Sequence, residues 1–295
     1  DLPMLLDPGD VLVLNDTRVM AARLSGEKVP TRTPVDVLFV RDLGDAVWDV
    51  MMKGRFHLGQ RIEFGAEAHA TVVQRDDSGT RLKMESACPV PELLRTQGQM
   101  PLPPYIKRAA RAEDQTWYQT CFADREGAIA APTAGLHFTQ ALMDRVRDRG
   151  IVIARVTLHV GPGTFKPVVV EQIEAHRMGA EWFEVGAPAV DAIRSAQQAG
   201  RRVVAVGTTV VRALETAAQQ PGGLQPMRGD SRLFITPGYR FQVVDALMTN
   251  FHLPKTTLLM LVSALAGVET MRRAYEEAVQ ERYRFYSYGD AMLIV

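Results

Sequence analysis

Short apolar runs rich in β-branched residues and broken by polar turn residues fill the chain from residue 11 to about residue 86: VLVLN, VDVLFV, AVWDVMM, RIEF, HATVV and TRLKM. Runs of this length and composition predict strands, and Asp76-Asp77-Ser78-Gly79 predicts a hairpin turn between the last two. Short strands at such even spacing predict a small barrel or a sandwich. Pro89, Pro91, Pro101, Pro103 and Pro104 then crowd residues 89–111, and proline suits neither a helix interior nor a central strand, so a linker at a domain boundary is expected there. Beyond it the pattern changes. Thr139 predicts the N-cap of a helix with Leu142 and Val146 on its apolar face and Gly150 at its end, followed by a strand over 151–160. A helix over 188–199, with Pro188 in its first turn and Gly200 after its end, leads to a strand over 202–206, and Thr208-Thr209 open a helix over 210–218. The apolar run 258–267 predicts a core helix. Strands alternating with helices make this half α/β.

Composition narrows the class. At 295 residues and 46% hydrophobic, the chain is long enough for roughly two domains with a sizeable core. Its 34 basic residues balance 34 acidic ones, so a polyanion would have to be held by a local patch and not by the global field. Cys88 and Cys121 stand far apart without metal-ligand spacing, which argues against a disulfide framework or a zinc site and for a reducing compartment. No run approaches the roughly 20 apolar residues that cross a bilayer, so no membrane partner is expected. The chain starts at Asp1 without methionine and soon enters the turn Asp7-Pro8-Gly9-Asp10, which suggests a natural amino-terminal segment ahead of it.

Three blocks set a histidine among glycine, threonine or proline beside an apolar run: AAPTAGLHFT with His137, LHVGPGTF with His159, and TNFHLPKTTLLMLVSALAG with His252. Together they point to one pocket built from several loops. Imidazole suits acid/base work near neutrality, although a hydrogen-bonded structural histidine has the same local sequence. His176 lies in a further block, five residues from Glu181, which is not zincin spacing, and His57 and His69 read as surface or edge residues. Gly161-Pro162-Gly163-Thr164 either lets a ligand approach the backbone or forms a plain turn. Gly207-Thr208-Thr209, at a strand-to-helix junction, either offers N–H groups to an anion or simply caps the helix. Pro254-Lys255-Thr256-Thr257 lacks the upstream glycines of a P-loop and reads as a capped helix, with Lys255 left to meet a phosphate or carboxylate. Tyr105 beside Lys107-Arg108, and Tyr283, Phe285, Tyr286 and Tyr288, could stack on unpaired bases or pack in a core.

The blocks VLVLNDTRVMAARL, MPLPPYIKR, AAPTAGLHFT, VTLHVGPGTFKPV, HRMGAEWFEV, VVAVGTTVVRALE, FITPGYRFQVVDALMTNFHLPKTTLLMLVSALAG and ERYRFYSYGDAMLI, in this order, resemble the S-adenosylmethionine:tRNA ribosyltransferase-isomerases of queuosine biosynthesis. The resemblance runs from about residue 7 to residue 294. Gly179 and the loop 26–34 depart from the family pattern. The resemblance implies an α/β fold, a larger α/β domain with an inserted small β-barrel domain. Residues 1–16 and 101–295 would form the discontinuous catalytic domain, and 17–100 the inserted barrel-like domain and linker. It implies a transferase that moves and isomerises the ribosyl part of S-adenosylmethionine onto 7-aminomethyl-7-deazaguanine. That base would stand at the wobble position of a tRNA with a GUN anticodon, and the products would be epoxyqueuosine-tRNA, adenine and methionine. S-adenosylmethionine is then a co-substrate, with no prosthetic group and no metal, and the enzyme is expected to be a cytoplasmic monomer. The rival reading is a methyltransferase using the same co-substrate, but the G-x-G-x-x-G loop with an acidic residue about 20 positions later is absent.

Such chemistry needs a general base, because the sulfonium acidifies the neighbouring C5′ protons, and an acid near adenine. The resemblance assigns these roles to His137 and His252, with Glu181 and His159 next. Thr208, Thr209 and Arg212 are the candidates for the methionine carboxylate, and Gly161 with Gly163 for close backbone approach. Asn15, Asp16, Thr17 and Arg18, a polar turn where the two domains join, are candidates for the ribose or base. Tyr105, Lys107, Arg108 and Lys255 are the candidates for tRNA, lysine and arginine meeting phosphates.

Overall fold

The computed structural model describes residues 1–76, 79–161, 173 and 176–295. The chain forms two compact units, Asp1–Arg18 with Gln119–Arg125 and Ala131–Val295 in the first, Val19–Tyr118 with Glu126–Ala130 in the second. Residues 101–118 and 126–130, expected in the catalytic domain, thus fall in the second unit, and residues 17–18, expected in the barrel-like domain, in the first. A proline-rich stretch without an apolar period carries no signal that assigns it to either.

A one-turn helix, α1 (Leu2–Leu5), precedes β1 (Val11–Asn15), every residue of which is buried. A strand apolar on both faces suits the middle of a parallel sheet and not a barrel wall. After β2 (Thr17–Val19), the chain builds β3 (Arg23–Lys28), β4 (Pro34–Asp42), β5 (Val47–Met52), β6 (Arg61–Phe64), β7 (Ala68–Asp76) and β8 (Gly79–Ser86). These close into an antiparallel barrel in the order β3-β4-β5-β8-β7-β6, so the barrel prevails over the sandwich. Leu24, Val37, Phe39, Trp48, Ile62 and Leu82 fill it, with Phe39 edge-on to Trp48 at 5.7 Å. The closing strand β3, RLSGEK, has no legible alternation, and Gly26 within it is dictated by crowding. A Cβ there would stand 2.6 Å from the Glu63 carbonyl oxygen. The turn residues 77 and 78 of the β7–β8 hairpin lie outside the described residues.

The proline-rich stretch is not wholly linker. It contains α2 (Val90–Gln97), with Pro89 as N-cap and Pro91 in the first turn, where the missing N–H has no intrahelical acceptor in any case. The short helix α3 (Asp114–Trp117) and β9 (Arg125–Ala128) follow.

The first unit continues with a 3-10 helix (Thr133–His137) and α4 (Gln140–Asp148), whose cap Thr139 accepts the Leu142 N–H at 3.2 Å. Next come β10 (Val152–Leu158), β11 (Glu181–Val185), α5 (Ala187–Gln198), β12 (Val203–Val206), α6 (Thr208–Ala218), β13 (Met227–Ser231), β14 (Ala246–Asn250), α7 (Thr257–Ala266), α8 (Val268–Gln280) and β15 (Ala291–Ile294). The sheet order is β13-β11-β10-β1-β12-β14-β15, with β10, β1, β12 and β14 parallel and the outer strands antiparallel. Leu12, Leu14, Val204, Val206, Ala246 and Met248 pack with Phe138, Met143 and Val146 on one face. Val11 and Val13 alternate to the other face and are equally buried, and α5 and α6 lie against β1, β10 and β12. The expected core helix over 258–267 is α7, but only Thr257, Leu261 and Val262 are buried, so its core is one stripe. Among the described residues no helix is long and apolar enough to cross a membrane. From β1 the chain moves to β10 on one side and later to β12 on the other. Open parallel sheets bind ligands beyond their carboxyl ends at such a reversal.

Candidate active site

The carboxyl ends of β10, β1, β12 and β14 stand side by side in that order along one edge of the sheet, spanning about 14 Å at the usual strand spacing. Asn15, at the end of β1, uses its whole carboxamide internally. It donates to the Leu158 carbonyl (2.9 Å) and Thr209 hydroxyl (3.2 Å) and accepts from the N–H groups of Thr17 (3.2 Å) and Leu158 (3.0 Å). Asn15 therefore clasps β1, β10 and α6 and has nothing left for a ribose. Asp16 differs: Oδ1 accepts the Thr157 hydroxyl at 2.6 Å, and among the described residues Oδ2 has no partner. Burial pushes the Asp16 carboxyl up, against the pull of that hydroxyl and of Arg125 and Arg155.

The Thr17 hydroxyl meets Nδ1 of His159 at 2.8 Å and the Arg125 carbonyl at 3.5 Å. A carbonyl only accepts, so the arrangement that satisfies all three groups runs from Nδ1–H to Thr17 to Arg125 and leaves a lone pair on Nε2 of His159. The ring stacks on Trp182 with centroids 4.9 Å apart, and burial, helped by Arg125, pushes the imidazole down to about 4. It is neutral at neutral pH. Arg18 is exposed and donates to the Ala123 carbonyl at 2.7 Å.

Two expected site residues are committed to the fold. Glu181 accepts the Gly161 N–H at 2.8 Å with one carboxylate oxygen and the Arg212 guanidinium with the other. Both side chains are 6% exposed, and Arg212 also reaches the carbonyls of Leu233 and Ser231. A carboxylate so engaged is no ready base, and a guanidinium so engaged is no ready carboxylate clamp. Gly161 spends its amide on Glu181, and a Cβ there would meet only that side chain at 3.6 Å, an ordinary contact. Gly163 lies outside the described residues.

At the end of β12, Gly207 takes φ 92 as the N-cap of α6, a conformation glycine adopts without strain. The N–H groups of Thr208 and Thr209, first in the helix, have no intrahelical acceptor. Thr209 accepts from Asn15, whereas the Thr208 hydroxyl, on a side chain left 6% exposed, has no partner among the described residues.

At the end of β14, the Thr249 hydroxyl meets Nε2 of His252 at 2.8 Å, and the His252 N–H donates to the Tyr275 hydroxyl at 2.7 Å. Burial pushes the His252 imidazole down to about 4. Nε2 of His137 lies 2.9 Å from the carboxamide nitrogen of Asn250, whose oxygen accepts the Thr133 hydroxyl at 3.0 Å. Burial also lowers His137, with Asp290 pulling the other way.

Of the tRNA candidates, Lys255 is exposed at φ 59, just before the N-cap Thr256 of α7. In the second unit Lys107 is exposed and Tyr105 half-buried. Arg108 forks onto the buried Asp114 carboxylate at 2.6 and 2.7 Å and holds that carboxyl below the usual carboxylate range. Its guanidinium is therefore spoken for. Sequence reasoning missed Asn250, Thr133, Thr157, Trp182 and Tyr275. Asn250 adjoins the TNFH block and was within reach, but Trp182 meets His159 only through the β10–β11 register. Among the described residues no group of three or more His, Cys, Asp or Glu side chains could hold a metal ion.

Known proteins match this chain along nearly its whole length. A Halothermothrix orenii protein named S-adenosylmethionine:tRNA ribosyltransferase-isomerase is 47% identical over 294 residues, covering 98% of this chain and 86% of its own. A protein of the same name from Xylella fastidiosa strain M12 is 52% identical over 296 residues, covering 100% of this chain and 85% of its own. The crystal structure of the S-adenosylmethionine tRNA ribosyltransferase from Thermotoga maritima is similar with a TM-score of 0.52 at 33% identity, over 100% of this chain and 85% of that one. The family described as queuosine biosynthesis protein matches residues 1–294. With both units and every histidine block inside that match, the chain belongs to the queuosine biosynthesis protein family.

Proposed function

We propose that this chain is an S-adenosylmethionine:tRNA ribosyltransferase-isomerase. It transfers the ribosyl part of S-adenosylmethionine to 7-aminomethyl-7-deazaguanine at the tRNA wobble position and isomerises it to epoxyqueuosine, releasing adenine and methionine. The observation that carries the reading is the identity of about half the residues, over the full chain, with relatives of that name. The row of polar groups at the carboxyl ends of β10, β1, β12 and β14 supports it.

Removal of a C5′ proton beside the sulfonium, loss of adenine, attack by the substrate amine and departure of methionine need one proton acceptor and hydrogen-bond donors toward the leaving purine. The bare Nε2 of His159, oriented by Thr17 and Trp182, fits the acceptor, and His252 is the second candidate. Oδ2 of Asp16 fits ribose hydroxyls. The Thr208 hydroxyl with the N–H groups of Thr208 and Thr209, at the positive end of α6, fits the methionine carboxylate. Lys107 and Lys255 are proposed for tRNA phosphates. The enzyme would act in the cytoplasm as a monomer on a tRNA with a GUN anticodon, with no resident cofactor.

The test is to incubate the chain with S-adenosylmethionine and tRNA bearing the deazaguanine precursor. Stoichiometric adenine and methionine support the reading, whereas S-adenosylhomocysteine without free adenine overturns it.

A further inference from the structure

Asn250 ends β14, is 2% exposed, and lies 113 residues from its partner His137. A carboxamide can be placed in either of two orientations, but here the surroundings decide. The nitrogen lies 3.2 Å from the Tyr286 backbone carbonyl, which can only accept, so the NH2 group must face it. That leaves the oxygen for the Thr133 hydroxyl at 3.0 Å. The same NH2 group stands 2.9 Å from Nε2 of His137, so this ring nitrogen presents a lone pair and the neutral ring carries its hydrogen on Nδ1. Among the described residues Nδ1 has no protein partner, and the half-buried ring remains reachable.

We propose that Asn250 is a positioning residue that locks His137 as the Nδ1–H tautomer, so that His137 serves the reaction as a neutral hydrogen-bond donor and not as its proton acceptor. This rests on the transferase-isomerase reading. An imidazolium would point a second N–H at the Asn250 NH2 group, so the contact disfavours protonation, in the same direction as burial of the ring. Asp290, just before β15, opposes both with its charge and is itself paired with Arg284 at 3.2 Å. Tyr286, at φ 73, supplies the carbonyl that fixes the amide. A donor that stays neutral can meet a developing negative charge or a purine nitrogen without adding a cation beside the sulfonium.

The test is long-range 1H–15N correlation of the histidine rings in the full chain from acid to neutral pH, with the His137 signals assigned by their loss in His137→Gln. In the unsubstituted protein Nδ1 is expected to be protonated and Nε2 bare at neutral pH. In Asn250→Asp the new carboxylate accepts a hydrogen bond, so the tautomer flips to Nε2–H and the ring titrates above the ordinary 6.5. In Asn250→Ala the tautomers mix and the titration moves up toward 6.5. Adenine release by either variant should lose about 10- to 100-fold in kcat, with KM for S-adenosylmethionine within about twofold. Nε2–H in the unsubstituted protein, a variant with the unsubstituted tautomer and titration, or unchanged kcat in a folded variant whose tautomer has flipped would each overturn the proposal. Should Asn250→Asp fail to fold, the unsubstituted protein and Asn250→Ala decide. The spectra need no turnover, so failure of the enzyme to release adenine counts against the functional reading and leaves the tautomer assignment to be judged on its own.

Discussion

Thr208 and Glu181 show how one polar group differs from another by what already occupies it. The Thr208 hydroxyl, at the start of α6 on a residue 6% exposed, has no partner among the described residues, so Thr208→Val tests whether a ligand uses it. KM for S-adenosylmethionine should rise roughly fivefold, about 1 kcal/mol, with kcat and the melting temperature nearly unchanged; an unaltered KM would remove Thr208 from the site. Glu181 is the reverse case. Glu181→Gln leaves the buried Arg212 cation unpaired, so stability should drop by about 3–5 kcal/mol in urea titrations. A catalytic base at this position would instead show lost turnover at undiminished stability. The histidine blocks pointed to His159 and the Gly207-Thr208-Thr209 junction to Thr208, but neither signal could separate these from Asn15, Arg108, Glu181 and Arg212. Whether a side chain is spent depends on groups far along the chain.

Helix α6 was readable as a helix because Thr208-Thr209 follow a strand and open it. That it is buried along nearly its whole circumference was not, since Glu215 looks like a solvent-facing position. In the fold Glu215 is 0% exposed and accepts four hydrogen bonds, from the Tyr239 hydroxyl and the N–H groups of Gln242, Val243 and Val244. It shapes the segment that enters β14 and so sets where Thr249 and Asn250 emerge. Glu215→Ala strands the buried amides of Val243 and Val244 and should cost about 2–4 kcal/mol of stability. It should also let the Tyr239 phenol, pushed up to about 12 by burial and by the Glu215 charge, titrate nearer to 10 in an ultraviolet pH titration. Helix α2 shows the same limit at the level of backbone chemistry. Prolines that looked like linker residues are compatible with a first helical turn, and only packing of Val90, Leu93 and Leu94 on the barrel core decides for the helix.

Stability of the whole chain against pH follows from groups in both units. His159 and His252, in the first unit, titrate at about 4 when folded against 6.5 when free. Between those values the unfolded chain binds more protons, so their contribution, on the order of 2 kcal/mol apiece, is full above 6.5 and drains away as pH falls toward 4. A second loss comes below 3.8. Asp10, which desolvation pushes up but Arg202 and two backbone N–H groups bring lower overall, then takes its proton in the first unit, and Asp114, lowered by Arg108, does so in the second. Asp16, raised by burial, acts the other way, its contribution fading as pH rises through its folded value. Urea midpoints across pH should therefore fall in two stages, and a midpoint that stays flat between 6.5 and 4 would contradict the burial of the two histidines. With a net charge of zero, the proposed tRNA contacts rest on local lysines. Replacing Lys107 or Lys255 by alanine should lower the slope of log affinity against log salt by about 1 each, and unchanged slopes would exclude phosphate contacts at both.

By itself the sequence determined the periodic elements, the barrel-like run of short strands, the α/β half and the family, because each is written in spacing over a few residues or in long ordered blocks. Tertiary structure alone decided that β1 takes the centre of the large sheet between β10 and β12, that RLSGEK closes the barrel, and which polar side chains remain open. The reason is range. A helix or strand is fixed by neighbours within a turn or two, whereas the partner that occupies Asn15, Glu181 or His137 lies tens to more than a hundred residues away and is set by strand order and register.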